Sequence, residues 1–352
     1  MNEGSTSQPS AAGVEARRRS SATATPTWLA WARAPEWGLV AGILAALAFI
    51  YFLGPREAFF DPFSRVTLLH NIALYGVISV GAAIVIIAGG IDLSTGSVVA
   101  LSSIFCGKLL TSWLRGGAPA STPPSVAIVV LAIALTLLLG LAIGLMHSVM
   151  INYLRLPPFI ATLATMAGLR SVATVVASNH QITLAYPAFR MLGKEMTWSL
   201  AIFAAVAAAA SFMMGMTVLG RHLYALGGNE AAARLSGLSV KKLKAVAYGL
   251  SGMLSALAGV LFAGKTGQGD HRMGMAYELY AITAAVVGGC SLSGGVGSIR
   301  GTVLGLILIQ IVIKGVGTFQ WQGVDSTSIE GIVLGTVIVL AVAINQRFRG
   351  KN

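Results

Sequence analysis

The chain has 352 residues, of which 55% are hydrophobic and only 10% charged. A soluble domain carries about a quarter charged residues, so this composition excludes an ordinary soluble globule and marks an integral membrane protein. The net charge of +12, from 24 Lys+Arg against 12 Asp+Glu, would in a soluble chain point to nucleic acid; here basic loops facing anionic lipid account for it, and membrane lipid rather than nucleic acid is the expected partner.

Residues 1–35 are rich in Ser, Thr, Ala and Pro and carry Arg17, Arg18 and Arg19 with no apolar stretch close behind. They are expected to form a disordered cytoplasmic arm rather than a signal peptide. Residues 36–352 form the membrane domain. Ten apolar segments follow: 38–54, 66–89, 93–111, 125–151, 158–177, 196–216, 245–264, 276–289, 299–317 and 328–346. A membrane-crossing helix needs about 20 residues, which leaves 276–289 with the length of a half-helix.

Ten crossings place both termini on one side. With the amino terminus inside, fourteen basic residues fall in cytoplasmic segments: Arg17, Arg18, Arg19, Arg33, Arg155, Arg221, Arg234, Lys241, Lys242, Lys244, Arg300, Arg347, Arg349 and Lys351. Seven fall outside: Arg56, Arg65, Arg115, Arg190, Lys194, Lys265 and Arg272. The excess favours cytoplasmic termini. Small-xxx-small spacings recur at Gly140/Gly144, Gly301/Gly305 and Gly331/Gly335. Close packing within one bundle is their commoner use, and the spacing does not single out a dimer seam.

Two glycine-rich breaks interrupt the apolar runs. In Gly89-Gly-Ile-Asp-Leu-Ser-Thr-Gly96 the glycines permit a break, while Asp92, Ser94 and Thr95 can cap a new helix. A carboxylate at membrane depth costs about 2.5–3.5 kcal/mol on insertion scales, so Asp92 should cap a turn or face a polar path. Gly288-Gly-Cys-Ser-Leu-Ser-Gly-Gly295 repeats the pattern. The ten-span count puts both copies on the same side.

The one substantial basic island in the second half is Gly220–Lys244, GRHLYALGGNEAAARLSGLSVKKLK. Its length, glycine pair and amphipathic EAAARLSGL stretch fit a cytoplasmic loop shaped to dock a partner. Elsewhere Asn71, Arg170 and Glu278 sit in apolar surroundings, and Gln310 and Lys314 lie one turn apart. Polar groups inside a membrane point first to a solute path, so Asn71, Asp92, Ser94, Arg170 and Glu278 are path candidates. The competing reading pairs Arg170 with Glu278 or Asp92 and lets Lys314 snorkel to an interface.

Gly249-Leu-Ser-Gly252 matches the GxSG of intramembrane serine proteases, yet His271 and His180 fall in expected loops and His147 lies upstream. Without a His base on a suitable helix the Ser251 reading fails, and no catalytic residue is assigned. A GxxxxGK[ST] loop is also missing, so ATP would be hydrolysed by another chain. Cys106 and Cys290 read as small hydrophobes, with no metal or cofactor implied.

GGIDLSTGSVVALSS (89–103), FIATLATMAGLRSV (159–172), the 220–261 stretch and YELYAITAAVVGGCSLSGGVGSIRGTVLG (277–305) resemble the membrane-spanning permease of a bacterial ABC importer of the ribose/monosaccharide type. The resemblance runs from about residue 38 to the end. It implies an all-α membrane fold of the type II-like importer class, with broken or half-helices. It also implies a dimer with an identical or paralogous permease, a cytoplasmic ATP-binding subunit with two fused nucleotide-binding halves, and a periplasmic sugar-binding protein. The setting would be the bacterial inner membrane. By position, Gly227, Gly228, Asn229, Glu230, Ala231, Ala232, Arg234 and Gly237 correspond to the coupling segment seated in the ATPase. The wider importer signature continues to an Ile-x-Leu-Pro, which this chain lacks after Gly237. Another small solute, such as a branched-chain amino acid, nucleoside or signalling sugar, fits similar permeases, and an ion-coupled secondary transporter is the further alternative.

Overall fold

The computed structural model describes residues 36–114, 122–319 and 326–349, and these are almost wholly helical. The amino-terminal arm with Arg17, Arg18, Arg19 and Arg33 lies outside the described residues, as do Arg115 and Lys351. In chain order the helices begin with α1 (Glu36–Leu53), the short α2 (Arg56–Phe60), α3 (Pro62–Ile87) and α4 (Thr95–Lys108), the last continuing as a wider turn over Leu109–Trp113. Then come α5 (Val126–Asn152), α6 (Pro158–Val176), α7 (Pro187–Lys194) and α8 (Met196–Met216). The second half holds α9 (Val218–Gly228), α10 (Glu230–Leu235), α11 (Val240–Thr266), α12 (Tyr277–Val287), α13 (Ile299–Thr318) and α14 (Ser326–Arg349). Two short strands, β1 (Ile182–Thr183) and β2 (Gln268–Gly269), pair antiparallel.

Among the described residues eight helices are long and apolar enough to cross a membrane, and Tyr277–Val287 and Ile329–Leu340 are shorter apolar pieces. Each of the ten apolar segments therefore coincides with a helix. α3 and α11 are the centre: both are mostly buried, whereas Ile50 alone is buried in α1. A span apolar on every side gives the sequence no face to read, and only the packing distinguishes an enclosed helix from a lipid-facing one.

Glycine decides how closely the central helices approach. A side chain at Gly140 or Gly144 of α5 would strike the Gly252 and Tyr248 carbonyls of α11, so that contact is backbone on backbone. Gly301 and Gly305 serve the same purpose for α13 against Gly288 and Ala284. Gly331 and Gly335 face open space, so the third spacing packs nothing among the described residues.

Three expectations need correction. The island at 220–244 is not a loop but two helices, α9 and α10, and α11 starts at Val240 rather than 245. Lys241, Lys242 and Lys244 lie on the first turns of that span, where their charge had masked its start. Lys265 does not belong to an outer loop; it ends α11 and donates to Asn71 Oδ1 at 2.9 Å. Arg170 forms no ion pair with Glu278 or Asp92, as described below.

The short α12 has a physical reason. Eleven residues of helix rise only about 16 Å. The rest of the depth is covered by non-helical chain from Gly269 to Ala276, which runs back along α4. Gly269 lies against Ser103, and Gly274 lies against Gly96 and Val99. From Ser103 to Gly96 is about 10 Å of helix.

Candidate coupling segment and solute path

At one end of the bundle the two glycine breaks adopt the same turn. After α3 the amides of Gly89 and Gly90 return to the carbonyls of Ile86 and Val85; after α12 those of Gly289 and Cys290 return to Val286 and Ala285. Gly89 and Gly289 have φ of +82° and +92°, a region that disfavours any side chain. The repeat seen in sequence is thus a repeat of backbone geometry.

The two breaks touch each other and the island. Gly295 donates its amide to the Ile87 carbonyl at 2.9 Å. A Cβ on Gly227, near the end of α9, would collide with that carbonyl and sit 2.6 Å from the Gly295 nitrogen. Tyr224, one turn earlier, donates its hydroxyl to the Gly297 carbonyl at 2.8 Å. α9 is consequently keyed to both breaks at once.

The next helix is defined at both ends by its own residues. Asn229 accepts from the Ala232 amide at 2.9 Å as N-cap of α10. Gly237, at φ +82°, reverses the chain so that Leu238 donates back to the Ala233 carbonyl at 3.1 Å. Glu230 binds Arg234 and Lys244, each at 2.9 Å, tying α10 to α11. Burial alone would raise the Glu230 carboxyl, but the Lys244 and Arg234 cations outweigh it and hold it below the usual range. Ala231, Ala232 and Gly228 are exposed, and Gly228 has open space around it. Leu235 is 90% exposed at the tip of this helix. Sequence reasoning missed Leu235, although an apolar residue closing the amphipathic EAAARL was the available signal.

Asp92 is 3% exposed. Its Oδ1 accepts from the Ser94 amide at 3.0 Å and the Ser94 hydroxyl at 2.7 Å, and its Oδ2 accepts from Ser251 at 2.7 Å. Ser94 therefore does not cap α4 with its own side chain; it serves Asp92, which pins the break to α11. The serine of the GxSG match is spent in this bond, while His147 Nε2 meets the Thr165 hydroxyl at 2.7 Å.

Farther along α4 lies a second polar group. Arg170 of α6 donates to the carbonyls of His271 (2.9 Å), Met273 and Gly274 (3.2 Å). Non-helical backbone at membrane depth needs its polar groups satisfied by protein or by a wet cavity. The planar guanidinium supplies several donors to adjacent carbonyls, which an ammonium cannot match in one plane. Glu278 rests its carboxylate against Gly96 in the first turn of α4, where the helix N-terminus favours negative charge. Its Oε2 is buried and has no hydrogen-bond partner among the described residues, and the same holds for Thr95 Oγ1 nearby. Arg170 and Glu278 thus come together around the chain 270–276, while Asn71 is held apart by Lys265 and Asp92 by Ser251.

The chain matches, over residues 64–342, the family described as the branched-chain amino acid transport system / permease component. Among curated relatives, the ribose import permease protein RbsC of Escherichia coli strain K12 is 33% identical over 316 residues, covering 87% of this chain and 92% of the relative. The galactose/methyl galactoside import permease protein MglC of Salmonella typhimurium is 31% identical over 332 residues, 91% of this chain and 96% of the relative. The inner membrane ABC transporter permease protein YjfF of Escherichia coli is 33% identical over 310 residues, 85% and 88%. No solved structure matches the chain. The chain belongs to this permease family, as a multi-pass, all-α membrane protein.

Proposed function

We propose that this protein is the membrane-spanning subunit of an ATP-driven importer, that its solute is a monosaccharide, and that α9–α10 is the element through which a partner ATPase moves it. The observation that carries the reading is the keying of α9 to both breaks: Gly227 against the Ile87–Gly295 bond and Tyr224 on Gly297. A push on α10 reaches both repeats through backbone contacts without slack, as a rigid-body switch requires. Leu235, exposed beside Glu230 and Arg234, is the apolar contact for the ATPase groove. The sugar assignment draws on the names of the ribose and galactose permeases, which match nearly the whole chain. On this reading α9–α10 faces the cytoplasm, the partner has two nucleotide-binding halves, a periplasmic binding protein delivers the sugar, and a second permease copy completes the path. Arg170, Glu278, Thr95 and the chain 270–276 form the polar side of that path, with Asp92 and Ser94 bracing its cytoplasmic end and Asn71 lying farther along α3.

Proteoliposomes holding the permease, its ATP-binding subunit and its binding protein test the proposal. Uptake of labelled ribose or galactose should require internal ATP and survive collapse of the ion gradients. Uptake driven by an ion gradient without ATP would defeat it, and competition by leucine but not by sugars would reassign the solute.

A further inference from the structure

A cavity of about 1030 Å³ opens at the same end of the bundle, between the α5–α6 turn, α10 and the start of α11. Its walls carry five cations, Arg155, Arg234, Lys241, Lys242 and Lys244, and a single anion, Glu230. That carboxylate is already bound by Lys244 and Arg234. Arg155, Lys241 and Lys242 therefore have no anion to neutralise them within the cavity. The first turn of α11 adds the partial positive charge of a helix N-terminus, and Ser239 places no side-chain acceptor on it. Lys241 lies with its ammonium 4.2 Å from the Tyr153 ring centroid, and Asn152 donates to the Lys241 carbonyl at 3.2 Å. The lysine is thus held toward the α5–α6 turn.

The surroundings decide what anion fits. The cavity opens where three spans, α5, α6 and α11, reach their ends. Tyr153, Leu154, Phe159 and Ile160 are each about half to two-thirds exposed beside it. Cations beside exposed apolar and aromatic side chains at a span boundary match a phosphate head with acyl chains attached, whereas a free anion would have no use for the apolar shelf.

We propose that this cavity binds the headgroup of an anionic phospholipid, phosphatidylglycerol or a relative, clamped between the α5–α6 turn and the base of α10. Arg155, Lys241 and Lys242 hold the phosphate while the acyl chains lie along Leu154, Phe159 and Ile160. Because Lys244 shares the cavity and also holds Glu230, the lipid sits against the helix assigned above to the ATPase. Its place beside that element rests on the proposed function; the binding itself does not.

The test uses the full-length permease alone, purified in a mild detergent, with retained lipid read by native mass spectrometry after adding equal phosphatidylglycerol and phosphatidylcholine. The wild-type chain should retain phosphatidylglycerol preferentially. A Lys241→Gln/Lys242→Gln variant should lose that preference by about tenfold or more, given the per-cation contribution of basic residues at a membrane surface. Both side chains are exposed, and an unchanged melting temperature checks that the variant folds. Equal retention of the two lipids by the wild type overturns the site, as does undiminished preference in the variant. Complete displacement by 10 mM inorganic phosphate would make it a free-anion site and also overturn the lipid assignment. If the variant keeps its lipid but, in a separate pull-down, no longer binds the ATP-binding subunit, the patch is a protein-docking surface instead. No outcome depends on transport, so failure here leaves the importer reading standing.

Discussion

The Gly295 amide donates to the Ile87 carbonyl at 2.9 Å, joining the loop after α12 to the last residue of α3. This bond links the two glycine breaks, and Gly227 lies over it with no room for a methyl group. Three segments far apart in sequence meet here main chain against main chain, which makes their relative positions stiff.

Neighbouring glycines give a direct test of that stiffness. Gly227→Ala must displace the Ile87 carbonyl and should cost about 1–3 kcal/mol as an overpacking change. Gly228→Ala enters open space and should stay within about 0.5 kcal/mol of wild type. Thermal unfolding in detergent reads the stability, and binding-protein-stimulated ATPase reads the coupling. Equal behaviour of the two variants would show that the contact does not matter.

Asp92 separates in a similar way. Asp92→Asn keeps one oxygen for the two Ser94 donors, and its amide can bond Ser251 with the donor reversed. Asp92→Ala leaves Ser94 and Ser251 without their acceptor in a buried site, at about 1–3 kcal/mol for each group stranded. The asparagine variant should accumulate folded at near-normal levels and the alanine variant should not. Comparable folding of both would mean that the three bonds contribute little.

Arg170 should tolerate no conservative exchange. Lysine keeps the charge but cannot present a planar set of donors to the three carbonyls of His271, Met273 and Gly274. Each charged bond lost is worth about 1.5–3 kcal/mol, so the chain 270–276 should loosen. A cysteine at Met275, which is already exposed, should label faster with a bulky thiol reagent in the Arg170→Lys background, and uptake should fall. Unchanged labelling and uptake would remove Arg170 from the path.

Much of this was legible in the chain, and the unread part has a common cause. Apolar run length located every span, and the amphipathic EAAARLSGL stretch located α10, since Asn229 and Gly237 cap it by rules that act within a few residues. The pairing of Lys265 with Asn71 was hidden because it joins positions on different helices. The descent of 270–276 along α4 was hidden for the same reason, and a short apolar helix alone does not say what covers the missing depth. Arg170 stands out in the sequence as a cation inside an apolar span, but its carbonyl partners carry no side-chain signature to search for.

Orientation is open to a cysteine pair. Ser239 and Thr122 are both exposed and lie at opposite ends of crossings. With α9–α10 in the cytoplasm, a cysteine at Thr122 should react with an impermeant thiol reagent in intact cells, and one at Ser239 only after permeabilisation. The reverse pattern would place the docking segment outside and end the ATPase assignment.

The tether between α10 and α11 has a pH dependence whose sign is fixed. Burial raises the Glu230 carboxyl, yet its cations lower it further, so the folded value lies below the unfolded one. The ion pairs with Lys244 and Arg234 are then complete above the ordinary glutamate value of about 4.3 and are lost as pH falls through the lowered one. Glu230 is 42% exposed, so screening keeps the effect small and salt-sensitive. A spin label on a cysteine at Ser236 should stay restrained at neutral pH and gain mobility below that range. Glu230→Gln should be mobile already at neutral pH, with its acid response gone and ATPase coupling weakened while the span folds normally. A label insensitive to both acid and the glutamine change would show that Asn229 and Gly237 alone hold α10 in place.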